Sequence, residues 1–226
     1  MFSLKSYFKH SSVTILYGIF AVIIVGLSAC QSPQQTAPQA PTNVPSTPSQ
    51  SQANPPVTTP ANLPSASADW KADGSITPGE YQNHQAFDDY EINWSNDDQY
   101  VYIGMKAKTM GWVAVGFGAT TFMNNANIIQ GYFSDGKVTV ADQFSTGNFG
   151  PHNDVTSLGG TYAILDSGGS QTNGTTIIEF KRKLNPGDKF HPALVKGVNK
   201  IIWAYGGDNQ YLIKHVSRGE GQITIQ

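Results

Sequence analysis

The sequence predicts an all-β fold, a sandwich of about ten short antiparallel strands, and three observations carry that expectation. Apolar and polar residues alternate with a period of two along most of the chain after residue 69. Glycine-rich turns separate the alternating runs, and no segment there shows the i, i+3, i+4, i+7 stripe of an amphipathic helix. Many short strands in one domain of this size mean a sandwich or a barrel, of which the sandwich is favoured. The Gly-aromatic spacing is too irregular for the internal repeat of a propeller or solenoid.

Taken in order, Tyr90, Ile92 and Trp94 alternate with Asp89, Glu91 and Asn93. Ser95-Asn96-Asp97-Asp98 then marks a turn, and residues 100–107 resume the extended pattern, so the pair reads as a hairpin. Further strands are expected at 112–117, 127–133, 137–144, 161–165, 175–181, 200–205, 211–216 and 222–225. Between them, Ser134-Asp135-Gly136, Asp166-Ser167-Gly168-Gly169 and Gly206-Gly207-Asp208-Asn209 supply residues that tolerate the positive φ of tight turns. Glycine and proline interrupt every helical candidate, leaving at most a short helical turn.

The first 29 residues read as a lipoprotein signal peptide. Lys5 and Lys9 make a positive start, residues 13–26 an apolar run too short for a comfortable membrane span, and Leu27-Ser28-Ala29-Cys30 resembles a lipobox. Cys30, the chain's single cysteine, is the expected lipid acceptor; an uncleaved signal anchor would leave the domain on the same side of the membrane. With that cysteine consumed, the mature domain can hold no disulfide, cysteine-ligated zinc, iron-sulfur cluster or thioether-attached haem. Residues 31–68 hold nine of the 13 prolines with Ser, Thr, Gln and Ala and no charge, which is the composition of a disordered tether. Residues 69–226 form the folded domain. Of the 14 basic residues, Lys5 and Lys9 lie in the leader, leaving 12 against 16 acidic ones and a net charge of −4. Nucleic acid is therefore not an expected partner. The expected location is outside the cytoplasm, lipid-anchored to the cell membrane or outer membrane.

No catalytic constellation is legible, neither G-x-S-x-G, nor H-E-x-x-H, nor a Gly-rich loop opening a helix, so no enzyme activity is expected. Asp73-Gly74-Ser75-Ile76-Thr77-Pro78-Gly79-Glu80 alternates oxygen ligands like a calcium loop. Pro78 breaks that spacing, however, and no Glu follows at the twelfth position, so a plain turn is expected. His84, His152, His191 and His215 show no short metal-ligand spacing. Met105 and Met110 fit core filling, whereas Met123 sits in the polar segment 119–125 directly after an apolar strand, where it reads either as a ligand or as an adaptable plug.

The order of these pieces resembles a known family. Gly111-Trp112-Val113-Ala114-Val115-Gly116-Phe117-Gly118, Met123, Asn127-Ile128-Ile129-Gln130-Gly131, Val140-Ala141-Asp142, Ile178-Glu179-Phe180-Lys181-Arg182, Ile202-Trp203-Ala204-Tyr205-Gly206 and His215-Val216-Ser217-Arg218-Gly219 together look like a DOMON domain. The likeness covers nearly all of residues 70–225. It implies an immunoglobulin-like β-sandwich that binds either b-type haem or sugars. In haem-binding relatives, such as the cytochrome domain of cellobiose dehydrogenase, a Met from the loop after the Gly-Trp strand and a His near the C-terminal end hold the iron. Those roles would fall on Met123 and His215. Asn127 departs from the pattern, standing where many relatives have Asp, and Lys214 adjoins His215 where some relatives use Lys. With haem b as cofactor, Trp112, Phe122, Trp203 and Tyr205 would supply an aromatic wall, and Arg218 would meet a propionate; ordinary core packing and surface charge account for the same residues. The implied function is a membrane-tethered electron-transfer module with an unidentified redox partner. The alternative is a haem-free module that binds carbohydrate or another small ligand.

Overall fold

The computed structural model describes residues 70–226. The expected signal peptide, the expected lipid acceptor Cys30 and the expected tether lie outside the described residues. Eleven strands follow in chain order: β1 (Asn83–Phe87), β2 (Tyr90–Asn96), β3 (Tyr100–Ala107), β4 (Val113–Phe117), β5 (Asn127–Ser134), β6 (Lys137–Phe144), β7 (Asn153–Asp154), β8 (Ile164–Thr172), β9 (Thr175–Lys183), β10 (Gly197–Tyr205) and β11 (Ser217–Ile225). A single 3-10 turn, Val155–Leu158, sits between β7 and β8. The fold is thus all-β, as the alternation required. One sheet has the order β1-β2-β3-β9-β8 and the other β11-β10-β4-β5-β6-β7, with every pairing antiparallel.

The core lies between the sheets and is built from alternate residues of each strand. Ile92, Ile103, Met105, Ile178 and Phe180 from one sheet meet Val113, Val115, Phe117, Ile129, Ile201 and Ile223 from the other, all essentially fully buried. Two polar anchors cross this layer. The Tyr90 hydroxyl donates to the carbonyl of Ala114 at 3.0 Å, and Trp94 Nε1 donates to the carbonyl of Thr224 at 3.0 Å. Each satisfies a group whose burial without a partner would cost about 1–3 kcal/mol.

Three sequence expectations change. Residues 166–169 do not turn: they run inside β8, and the turn comes at Asn173 and Gly174, both at positive φ. Gly168 is glycine because the backbone of Ala72 lies against it, where a Cβ would collide. Residues 211–216 are not a strand despite their alternation, and Leu212 there is 87% exposed. The last strand begins earlier than expected, at Ser217. β1 and β7, too short and polar to stand out, are additions.

Candidate functional site

In the six-stranded sheet, the residues that alternate with the core face outward. Ala114 and Gly116 of β4, Ile202 and Ala204 of β10, and Ile128, Gln130 and Tyr132 of β5 therefore share one outer face, brought side by side by the register Ala204–Ala114–Gln130 and Ile202–Gly116–Ile128. That face is apolar and its central residues are small. Trp112, Ala114, Ala126 and Ile128 form a buried cluster, with Ala119, Met123, Tyr132, Ile202 and Ala204 packed against it. A Cβ at Gly116 would approach Ile202 Cγ1 to 2.6 Å, so only glycine keeps the floor level there.

Two connections border this face from opposite ends of β4. At the Phe117 end, residues 118–126 form a tight loop. Thr120 N–H donates to Asn124 O, Asn124 N–H to Thr121 O and Ala126 N–H to Met123 O, all within 3.0 Å. Phe122 adopts φ 51° at its tip, which turns its half-exposed ring onto Phe149, 4.8 Å away, and Met123 packs against the cluster. At the Val113 end, residues 206–216 cross over. Gly206 N–H donates to Trp112 O, Trp112 N–H to Asp208 O and Val216 N–H to Tyr205 O. The Tyr211 ring meets Tyr132 edge-on at 5.1 Å. His215 lies in this segment, half-buried, and its pKa is lowered first by burial and then by the nearby charges of Arg218 and Lys214. Its imidazole is accordingly neutral at pH 7, with one nitrogen lone pair free to ligate. Arg218 of β11 pairs in register with Ala204 and so faces outward as well.

Of the seven candidate cofactor residues, Trp112, Phe122, Met123, His215 and Arg218 lie on this face or its bordering loops. Trp203 and Tyr205 do not. Strand alternation sends both into the core, where Trp203 stacks on Tyr90 at 5.0 Å with the sheet between it and Met123. They are core residues and no wall of this site. The sequence reading missed the small floor of Ala114, Gly116 and Ala204, and also Gln130. The signal was available, since Ala114, Gly116 and Gly118 stand at every second position along and just past β4.

The chemistry of the face fits an apolar group with soft or neutral ligation. Met123 packs a thioether against it, His215 lies in the segment that borders its far end, Arg218 faces outward beside Ala204, and two buried polar atoms on it, Trp112 Nε1 and Gln130 Oε1, have no protein partner. Beside the Met123 loop, a groove of about 450 Å³ opens, lined in part by Ala119, Phe122, Ile202, Glu220 and Gln222. No cluster of three or more His, Cys, Asp or Glu suited to a metal ion occurs among the described residues. In the 73–80 segment the carboxylates serve the backbone, Glu80 accepting from Thr77 N–H and Asp73 from Ser75 N–H.

Similarity to known proteins bears on this geometry. DBH-like monooxygenase protein 1 of Homo sapiens is 28% identical over 116 residues, 51% of this chain and 18% of that protein. Its Mus musculus counterpart is 26% identical over 137 residues, 59% of this chain and 22% of that protein. The chain thus matches only about a fifth of these relatives' length. Among solved structures, the cytochrome b domain of pyranose dehydrogenase from Coprinopsis cinerea aligns with a TM-score of 0.45 and 12% identity, covering 59% of this chain and 75% of that one. The cytochrome domain of Myriococcum thermophilum cellobiose dehydrogenase aligns with a TM-score of 0.43 and 15% identity, covering 61% and 75%. The DOMON domain model matches residues 86–206, which takes in more than half of the chain, every strand from β2 to β10 and the whole Met123 loop, and the chain belongs to the DOMON domain family.

Proposed function

We propose that this chain is a membrane-tethered, extracytoplasmic b-type cytochrome module, with Met123 and His215 holding haem b on the outer face of the six-stranded sheet. The observation that supports the reading is an apolar outer face floored by Ala114, Gly116 and Ala204, against which Met123 packs from the loop at one end of β4, while the segment that carries His215 borders the other end. Met123 and His215 would hold the haem, which would supply one-electron transfer there, with the neutral thioether favouring the reduced form. The chain's own part is to orient and to dry. The small floor lets a flat group lie close, Trp112 and Ile128 exclude water, and Arg218 offers a charge to a carboxylate at the rim. Trp112 Nε1 and Gln130 Oε1 offer further polar contacts. Cys30 would carry the lipid and residues 31–68 would hold the domain off the membrane. An acidic domain of this kind suits brief encounters with a redox partner that shows a basic or neutral face.

The test is a visible spectrum of the full-length protein, exported with ample haem. A Soret band with sharp reduced α and β bands is the expected result, and its absence sinks the reading. A second reading has one observation behind it. The 450 Å³ groove beside Phe122 carries Lys200, Glu220 and Gln222, a half-exposed ring with polar neighbours that suits a sugar. Saturable binding of an oligosaccharide by haem-free protein, lost in Phe122→Ala, would favour it.

A further inference from the structure

At one end of the sandwich core lies a chain of charged side chains that no sequence pattern announced. Arg182 of β9 points inward and is fully buried. Its Nη1 donates to Asn127 Oδ1 at 2.9 Å, its Nη2 donates to the carbonyl of Pro192 at 3.0 Å, and its guanidinium lies 4.7 Å from the centre of the Phe117 ring. Asn127 Nδ2 donates onward to Asp142 Oδ1 at 2.7 Å and to the carbonyl of Gln143 at 3.1 Å. Asp142 Oδ2 accepts from the backbone of Ala163 and meets His191 Nε2 at 2.9 Å, while His191 Nδ1 meets Asp188 at 2.8 Å. Both Asp142 and His191 side chains are wholly buried.

The place of this chain matters more than its charge. Phe117 and Gly118 are where the Met123 loop leaves β4, and Asn127 is where it enters β5. Arg182 touches both feet directly, one through the Phe117 ring and the other through Asn127. Gly118 packs on Pro192, whose carbonyl the same guanidinium holds. The loop's own bonds then carry that fixed footing to its tip. We propose that Arg182, backed by Asn127, Asp142 and His191, is a positioning device that clamps both feet of the 118–126 loop and so fixes where the Met123 thioether stands. The proposal rests on the cytochrome reading only for what the thioether binds.

The imidazole is the adjustable member. With a carboxylate at each nitrogen, His191 satisfies both only as the imidazolium, and two cations then balance buried Asp142 and partly exposed Asp188. Burial lowers its pKa, but the bonds and charges of Asp142 and Asp188 outweigh this and raise it. The groups facing it are Asp142 from β6, Asp188 from its own loop and, through Asn127, Arg182 from β9. As the pH rises through that raised pKa, loss of the proton turns one lone pair onto a carboxylate. The clamp loosens.

The experiment uses the full-length protein without haem, its methionine methyl groups isotopically labelled, and follows Met123 by NMR together with hydrogen exchange at the Asn125 and Ala126 amides. In His191→Gln both amides should exchange at least about tenfold faster and the Met123 resonance should move toward that of a free side chain, with Met105 in the core unmoved. Asp188→Asn should do the same more weakly. Once exchange is corrected for its intrinsic rise with pH, raising the pH should lower the protection of both amides in wild type and change nothing further in His191→Gln, a response that mere loss of packing would not give. Unchanged exchange and an unchanged Met123 resonance in both variants overturn the proposal. If His191→Gln does not fold, Asp188→Asn, altered at the partly exposed end of the chain, decides alone. In haem-loaded protein the same substitutions should weaken the ferric thioether-to-iron absorbance. Loop loosening in a protein that never takes up haem would sink the cytochrome reading and leave the clamp standing.

Discussion

The two outer faces of the sandwich are both covered, and by opposite means. On the five-stranded sheet the cover is residues 70–82, and it is held by polar contacts. Glu179 of β9 is fully buried there, accepting from the Tyr81 hydroxyl and the Gly74 N–H at 2.7 Å each, while Trp70 Nε1 donates to the same hydroxyl at 2.8 Å. Tyr81 presses on Gly104 and Ala72 on Gly168, so glycines let the backbones meet. One amide, Asn93 Nδ2, is left over. On the six-stranded sheet the cover is two loops that touch an apolar floor, with Trp112 Nε1 and Gln130 Oε1 unpartnered. Burial of a polar group is normally matched by a bond, so a face closed by its own chain should look like the first. The second resembles a face organised for something besides its own chain.

Substitutions at the two proposed ligands should separate the faces most sharply. His215→Ala should lose most of the haem, by more than about a hundredfold in affinity, since a thioether alone is a weak ligand. Met123→Ala should keep haem but gain carbon monoxide binding and a lower potential. His84→Ala should leave the spectrum unchanged. Next in size, Glu179→Ala strands the Gly74 N–H and the Tyr81 hydroxyl, and should cost about 3 kcal/mol in denaturant unfolding with no change in the haem spectrum. A spectral change there would mean that the two faces are coupled.

The third effect is one of pH. Burial raises the Glu179 carboxyl from 4.5 to about 7, against the bonds from Tyr81 and Gly74 that lower it. Between those values the folded protein holds a proton that the unfolded chain has released, so stability falls as pH rises through this window. Glu179→Gln should flatten that part of the melting-temperature profile. Smallest of all, Trp112→Phe removes an N–H that has no partner. Its cost to the haem-free fold should stay within about 1 kcal/mol, while the haem spectrum shifts.

The strand alternation of 90–94, 100–107 and 175–181 was legible because one face of each strand is core and the other is not. Failures came where a neighbour, and no local pattern, set the conformation. Ser167-Gly168-Gly169 looks like a turn, yet Gly168 serves the Ala72 backbone that passes over it and Gly169 makes room for the Ile178 side chain. Residues 211–216 alternate well but have no strand to pair with. Met123 and His215 stand out as candidates by residue type and order, because a loop-borne thioether is unusual and the family pattern is ordered. Trp203 and Tyr205 could not be assigned a side, since a period of two shows that residues share a face but not which face is core. Arg182 and His191 were invisible as a pair, for their partners come from three separate strands and a loop.

Trp112 lies on the outer patch, Trp203 and Trp94 in the core and Trp70 over the opposite sheet, and these are the chain's four tryptophans. That distribution makes the domain its own fluorescent gauge. A strongly absorbing ligand on the patch drains emission from all four indoles by energy transfer, steeply with distance and most from Trp112. A colourless one perturbs Trp112 through its surroundings and leaves the other three glowing as before, so emission alone, with no label attached, tells a pigment from a sugar.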